Sequence, residues 1–258
     1  MSDTAYDSLS AFYNNLQSEV DVRVVSDRIC ALIAKYGPAK GDGEAGNLIV
    51  CDLGCGTGSV AFELAGRGYE IIAIDRSGGM LAAAGETFAE GGREALFVRQ
   101  DISRLDLFGT VDVFLSLTDT LNHLTDARAF RRVFASLRNF LNPGGLFVFD
   151  LLTLRYMRDV RGSGEYSDIS DDYALIWQNR FNEKTGSGRS DMTLFSRSGE
   201  NLYKRSDFSV AERYYSEEDV RDAMKSADLE LVGIFSGYIN RKAREDDVRH
   251  LYVTRRRA

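Results

Sequence analysis

The run Leu48-Ile49-Val50-Cys51-Asp52-Leu53, followed at once by Gly54-Cys55-Gly56-Thr57-Gly58, constrains this chain more than any other stretch. A segment so continuously apolar reads as a strand buried on both faces, the condition of a strand inside a parallel sheet. The glycines at its carboxyl end supply a turn that takes backbone conformations closed to other residues and lets a ligand approach the main chain without meeting a Cβ. A strand, a glycine turn and a helix in that order predict the opening of an α/β fold.

The alternation continues to Asp150. It predicts a helix from about Thr57 to Arg67, a strand Glu70–Asp75, a helix Gly78–Ala89, and strands Leu96–Gln100 and Val111–Leu117. Asp126 stands as an N-cap before Phe130, Val133, Phe134, Leu137 and Leu141 at helical spacing. Asn142-Pro143-Gly144-Gly145 stops that helix, and strand five follows as Leu146–Leu151. Upstream, Val22, Val25, Ile29, Leu32 and Ile33 give the segment Ala5–Tyr36 an amphipathic helical face, joined to the core by a flexible stretch from Gly37 to Gly46.

After Thr153 the pattern changes to three extended segments, Tyr173–Phe181, Asp191–Arg197 and Leu202–Tyr215, separated by short turns, as in an antiparallel meander. A capping box at Ser216-Glu217-Glu218-Asp219 opens another helix to about Ala227, and strands Leu229–Phe235 and Val248–Thr254 close the chain. The expected fold is a doubly wound, seven-stranded, mostly parallel sheet whose last strand is antiparallel, with the meander inserted as a lid after strand five. Residues 1–46 form an N-terminal helical segment and linker, 47–154 and 214–258 the core, and 155–213 the lid.

Composition excludes several classes. With 44% hydrophobic and 28% charged residues and 2 prolines in 258, the chain is neither disordered nor collagen-like. Its net charge of -7 offers no broad attraction to nucleic acid or anionic membrane. The insertion itself is balanced, with ten basic and ten acidic residues between Arg155 and Arg213, and the tail Arg255-Arg256-Arg257 is too short to reverse the total. Cys30, Cys51 and Cys55 fit neither a disulfide framework nor a zinc knuckle, so no metal and a reducing compartment are expected. Neither an export signal nor a bilayer-length apolar run is evident, so a cytoplasmic protein, monomer or homodimer, is expected.

The glycine turn also narrows the ligand. A dinucleotide site carries glycine three positions after Gly56, where this chain has Ser59, and no Gly-Lys-Ser/Thr follows to cradle a nucleotide triphosphate. Strand two ends in Ile74-Asp75, and a carboxylate there can accept hydrogen bonds from both hydroxyls of a ribose. An adenosine-like ligand poor in phosphate fits, and S-adenosylmethionine is one.

Taken in order, Asp52-Leu53-Gly54-Cys55-Gly56-Thr57-Gly58, Ile74-Asp75-Arg76-Ser77 with Met80-Leu81, Asp101-Ile102 and Leu141-Asn142-Pro143-Gly144-Gly145 resemble class I S-adenosylmethionine-dependent methyltransferases. The resemblance implies a Rossmann-like methyltransferase fold and S-adenosylmethionine as cofactor. It would bring Gly54, Gly56 and Gly58 to the methionine part, with Asp52 holding the turn and Asp75 on the ribose. Arg76 and Met80 would lie along the adenine, Asp101 would meet its exocyclic amine, Ile102 would cover a ring face, and Leu117 would close the pocket.

Methyl transfer from a sulfonium is an in-line displacement, so the protein's chief tasks are alignment and exclusion of water. The reacting end lies beyond the carboxyl ends of the strands, at Thr118–Leu124 and Asp150–Leu154. His123 there is either a general base for an amine or hydroxyl or a residue fixing the loop, while Asp119 and Asn122 either orient an acceptor or cap the next helix. In the lid, Trp177, Arg213 and Tyr215 either line the acceptor pocket or form core. The lid and N-terminal helix resemble a branch with small acceptors, including sugar-amine N-methyltransferases; there a tyrosine from the helix reaches the methionine carboxylate, which implies Tyr13, or else Tyr6. The expected activity is methyl transfer to N or O of a small molecule. The alternatives are an RNA or protein acceptor, or cofactor binding without turnover, and a nicotinamide oxidoreductase is disfavoured by Ser59.

Overall fold

A computed structural model describes residues 21–38, 48–162 and 164–257. Helix α1 (Val22–Tyr36) is capped by Asp21, whose carboxylate accepts from the Arg23 and Val24 amides. Then come β1 (Ile49–Leu53), α2 (Ser59–Ala65), β2 (Glu70–Asp75), α3 (Gly78–Glu90), β3 (Leu96–Arg99), β4 (Val111–Ser116), α4 (Ala127–Phe140) and β5 (Leu141–Leu152). A π-helical turn at Tyr156–Arg161 leads to β6 (Glu165–Ile169), β7 (Tyr173–Asn182), β8 (Ser187–Gly199) and β9 (Leu202–Arg213). The chain closes with α5 (Glu217–Lys225), β10 (Leu229–Ser236) and β11 (Arg249–Arg256).

The main sheet has the order β10-β11-β5-β4-β1-β2-β3, with β11 antiparallel to both of its neighbours and the other pairings parallel. Alternate residues of a strand point to opposite faces, and the central strands use both. Val50, Val113, Leu115, Leu146 and Val148 pack under α1 and α2, whereas Cys51, Phe114, Phe147 and Phe149 pack under α4 and α5. Both faces are covered, which is why β1 and β4 lack the polar alternation of a half-exposed strand. No helix among the described residues is long and apolar enough to cross a membrane.

Several expected boundaries move for local reasons. Helix α2 starts at Ser59, not Thr57, because Gly58 before it is left-handed with φ 74°. The Asn142–Gly145 turn lies within the span of β5. Its pairing with β4 jumps from Val111↔Leu141 to Val113↔Leu146, so the intervening residues bulge out, with Gly144 at φ 75°. Asp126 and Ser216 do cap α4 and α5, the latter through a full capping box. The meander is a four-stranded antiparallel sheet of order β6-β7-β8-β9, one strand more than the hydrophobic pattern predicts. Strand β6, Glu-Tyr-Ser-Asp-Ile, is almost wholly exposed and so carries no burial signature. Tyr6 and Tyr13 lie outside the described residues.

Candidate functional site

The glycine turn is tied to the neighbouring strand. The Gly54 and Cys55 amides both donate to the Ile74 carbonyl at 2.7 and 3.0 Å, and the Gly56 amide donates to Asp75 Oδ2 at 3.0 Å. Gly54, Gly56 and Gly58 all have left-handed φ. At Gly54 a Cβ would stand 2.3 Å from the methyl of Thr120, so the turn and the loop after β4 interlock only because that side chain is missing. Asp75 accepts on its other oxygen from the Ser77 amide at 2.9 Å, while Ser77 caps α3 by accepting from Met80. Burial pushes the Asp75 carboxyl above the usual range, opposed by these two amides.

Asp52, at the end of β1, is buried behind the turn, and burial together with the neighbouring Asp75 pushes its carboxyl up to about 7. A folded-state value above the unfolded one means that folding takes up a proton between the two. The stabilisation is therefore full below about pH 4 and is lost as the pH rises through about 7. In Asp52→Asn the fall in stability between pH 4 and 8 should flatten, by at most about 4 kcal/mol. Urea titrations of both proteins across that range measure it; parallel profiles would refute the assignment.

Beyond the strand ends lies an open cleft of about 660 Å³. Gly54, Gly56 and Asp75 form one wall, Arg76 and Met80 a second, and Asp101, Ile102 and His123 complete it with Gln100, Thr118, Thr120 and Leu124. Asp101 is oriented by the Ser103 amide, 2.8 Å from its Oδ1. Three of the expected cofactor residues are not among the described residues lining the cleft. Asp52 lies behind the turn, Gly58 serves as the N-cap of α2, and Leu117 packs in the core on the α1 side of the sheet. Gln100, which adjoins Asp101, escaped the sequence reading, whereas Thr118, Thr120 and Leu124 belong to the stretch after strand four at which it expected the reacting end.

At the His123 end of the cleft, the structure groups His123 and Asp119 with Glu212 of β9. His123 Nδ1 lies 4.0 Å from Glu212 Oε1, and Arg161 of the π-helical turn donates to Glu212 Oε2 at 2.5 Å. Burial pushes the Glu212 carboxyl up, but Arg161 and His123 outweigh it and hold the group below its usual value. Asp119 moves the other way, raised by burial against the pull of Arg249 3.4 Å away. One ligand atom from each of Asp119, His123 and Glu212 falls within 4.8 Å of the others, a spacing a metal could use. Two guanidinium groups already neutralise the carboxylates, which makes this an ion-pair network. Sequence reasoning missed Glu212 and Arg161, because nothing local marks them.

Four of the residues offered as acceptor contacts are held elsewhere than in the cleft lining, Tyr215 and Trp177 in the core alternative that the sequence left open. Asn122 is fully buried and its amide is spent on structure, donating to the Arg213 carbonyl at 2.8 Å and accepting from the Leu152 amide at 3.0 Å. Tyr215 is core: its ring stacks on Phe130 at 3.8 Å and its hydroxyl donates to the Leu124 carbonyl. Trp177 shares a strand face with Tyr173 and Leu175, and that face joins Leu194, Met192 and Phe208 in a small cluster belonging to the second sheet itself. Arg213 lies over the Tyr215 ring at 5.7 Å. None of these four is among the described residues lining the cleft.

A family model described as "Methyltransferase domain" matches residues 50–145. Among proteins, the chain is 29% identical over 183 residues to "Putative methyltransferase YqeM" of Bacillus subtilis (strain 168), covering 70% of this chain and 73% of that one. Among solved structures, an S-adenosylmethionine-dependent methyltransferase from Clostridium acetobutylicum ATCC 824 superposes with a TM-score of 0.86 at 26% identity, covering 98% of this chain and 100% of that one. The sugar N-methyltransferase KedS8 from Streptoalloteichus sp ATCC 53650 shares the fold, with a TM-score of 0.74 at 16% identity over 95% of this chain and 93% of that one.

Proposed function

Since this chain is a class I S-adenosylmethionine-dependent methyltransferase, we propose that it moves the methyl group to a nitrogen or oxygen of a small-molecule acceptor by in-line displacement. The supporting observation is that one cleft joins the glycine turn, Asp75 and Asp101 to His123, and that His123 is flanked by Glu212 from the inserted sheet. In this reading residues 155–213 are the acceptor lid on a core formed by 47–154 and 214–258.

The residues present fit the cofactor. Gly54 and Gly56 line the cleft with backbone that carries no side chain, Asp75 lines it as a hydrogen-bond acceptor for ribose hydroxyls, and Asp101 is placed to accept from an exocyclic amine. Arg76, Met80 and Ile102 supply flat and apolar contact for a ring. When bound, S-adenosylmethionine supplies an electrophilic methyl on a sulfonium. The chain's part is to align the acceptor atom, keep water out with the lid, and take a proton where the acceptor must lose one. His123 is the side chain in the cleft suited to that last task, with Glu212 beside it and Arg161 holding Glu212 in place.

Calorimetric titration with S-adenosylmethionine, S-adenosylhomocysteine and NAD, run side by side, tests the cofactor site. Micromolar binding of the two sulfur ligands and none of NAD is expected. A screen of small amines and hydroxylated metabolites, sugar amines among them, then reads S-adenosylhomocysteine release; turnover only on RNA or protein would overturn the small-acceptor reading. On the acceptor found, His123→Phe should cut turnover by roughly 100-fold, the usual worth of a general base, with cofactor affinity and melting temperature unchanged. Retained turnover in that variant would reject the base role.

A further inference from the structure

Two consecutive non-glycine residues after β4, Thr118 and Asp119, have left-handed backbone, with φ of 53° and 57°. The β-branched Thr118 is a genuine outlier in that region, and with a second left-handed residue beside it the turn does not persist without something that holds it. The holder is visible. The carboxylate of Asp150, at the carboxyl end of β5 and fully buried, accepts from both strained residues, from the Thr118 amide at 2.8 Å and from the Asp119 amide at 2.7 Å. Successive amides converging on one anion form a nest, here filled by a side chain of the protein itself.

The carboxylate is held in turn from the far end of the chain. The Tyr238 hydroxyl, just beyond β10, donates to Asp150 Oδ2, and Arg249 at the start of β11 donates to Oδ1 at 3.3 Å and to Asp119 Oδ1 at 3.4 Å. The consequence falls on the cleft. From this turn Thr118, Thr120 and His123 reach the cleft, and Thr120 is the residue whose methyl fills the space beside Gly54.

We propose that Asp150 is a positioning residue: by gripping the Thr118 and Asp119 amides it fixes the loop that carries Thr118, Thr120 and His123 against the glycine turn. The effect on cofactor affinity rests on the cleft being the cofactor site, whereas the grip on the two amides does not.

Hydrogen exchange read by mass spectrometry over residues 117–124, together with S-adenosylhomocysteine titration, tests it in Asp150→Asn. The asparagine keeps the shape but turns an N–H toward one of the two amides. Expected are exchange at least tenfold faster at Thr118 and Asp119, little change in the β1–β5 core, and about tenfold weaker S-adenosylhomocysteine binding. Adding Thr118→Gly should restore affinity at least threefold, since glycine takes the left-handed turn without the anion; a residue that merely supports the sheet would show neither the local exchange nor the rescue. Unchanged exchange at the two amides overturns the proposal, as does faster exchange with affinity within twofold of the parent protein. If the parent protein fails to bind S-adenosylhomocysteine, the cofactor reading of the cleft fails, and the exchange arm still decides the grip of Asp150. Should Asp150→Asn not fold, Tyr238→Phe, which removes the hydroxyl that donates to Asp150 and accepts from the Thr118 amide at 3.0 Å, is read at Asp119, whose amide donates to Asp150: faster exchange there supports the proposal, and none overturns it.

Discussion

Asp75→Ala is expected to weaken S-adenosylmethionine binding about 100-fold while the protein stays folded. Two losses combine. The carboxylate supplies charge-assisted hydrogen bonds to the ribose in the cofactor site we propose, and such bonds are worth roughly 1.5 to 3 kcal/mol. It also accepts from the Gly56 and Ser77 amides, so alanine frees both the glycine turn and the entry to α3. Together these bring the expected loss to about 3 kcal/mol, which is the 100-fold change. Asp75→Asn keeps one acceptor and should lose less. Calorimetry on both variants measures it, and affinity within threefold of the parent in a folded Asp75→Ala protein would move the ribose elsewhere.

Gly54→Ala should destabilise the whole protein. Its φ of 76° penalises any side chain, and the new Cβ would stand 2.3 Å from Thr120 Cγ2 and 3.0 Å from Thr120 Oγ1. Thr120 cannot swing away without losing its hydrogen bond to the Leu117 carbonyl at 2.8 Å. Left-handed strain of roughly 1 kcal/mol plus overpacking of about 2 gives about 3 kcal/mol. For a chain of this size that is a melting temperature lower by roughly 9 °C. Thr120→Ser removes the methyl and keeps the hydroxyl, so the double variant should recover about 2 kcal/mol of the loss. Thermal unfolding of the four proteins of this cycle gives the coupling; simple additivity would show that the two loops do not interlock.

The parallel core was legible because its signals are local. Glycine at Gly54, Gly56 and Gly58, continuous apolar strands, and Asp126 and Ser216 as caps each act within a few residues, and the core strands fall within one or two residues of those expected, except that β5 begins five residues early, at Leu141. Strand β6 was not legible, since its exposed residues have neither apolar alternation nor a turn signal to betray them. The wall of the cleft that we propose for the cofactor was largely readable, as Asp75 and Asp101 stand at the ends of successive strands. The side we propose for the acceptor was not. Tyr215, Asn122 and Trp177 are the kinds of residue that line a pocket, but pairing β7 with β8 turned Trp177 onto the cluster of the second sheet, and Asn122 was consumed in joining β5 to β9.

The sequence by itself determined the order of strands and helices in the parallel core, the glycine turn and the class of ligand that turn admits, because each follows from backbone freedom and burial over a handful of neighbouring residues. Only the tertiary structure decided what stands opposite His123 and what holds its loop. Glu212 meets His123 across 89 positions of sequence, and Tyr238 and Arg249 reach Asp150 across 88 and 99. Charge pairing and the grip of a carboxylate on a strained turn depend on distances of a few ångströms in space, and no local pattern of residues encodes them.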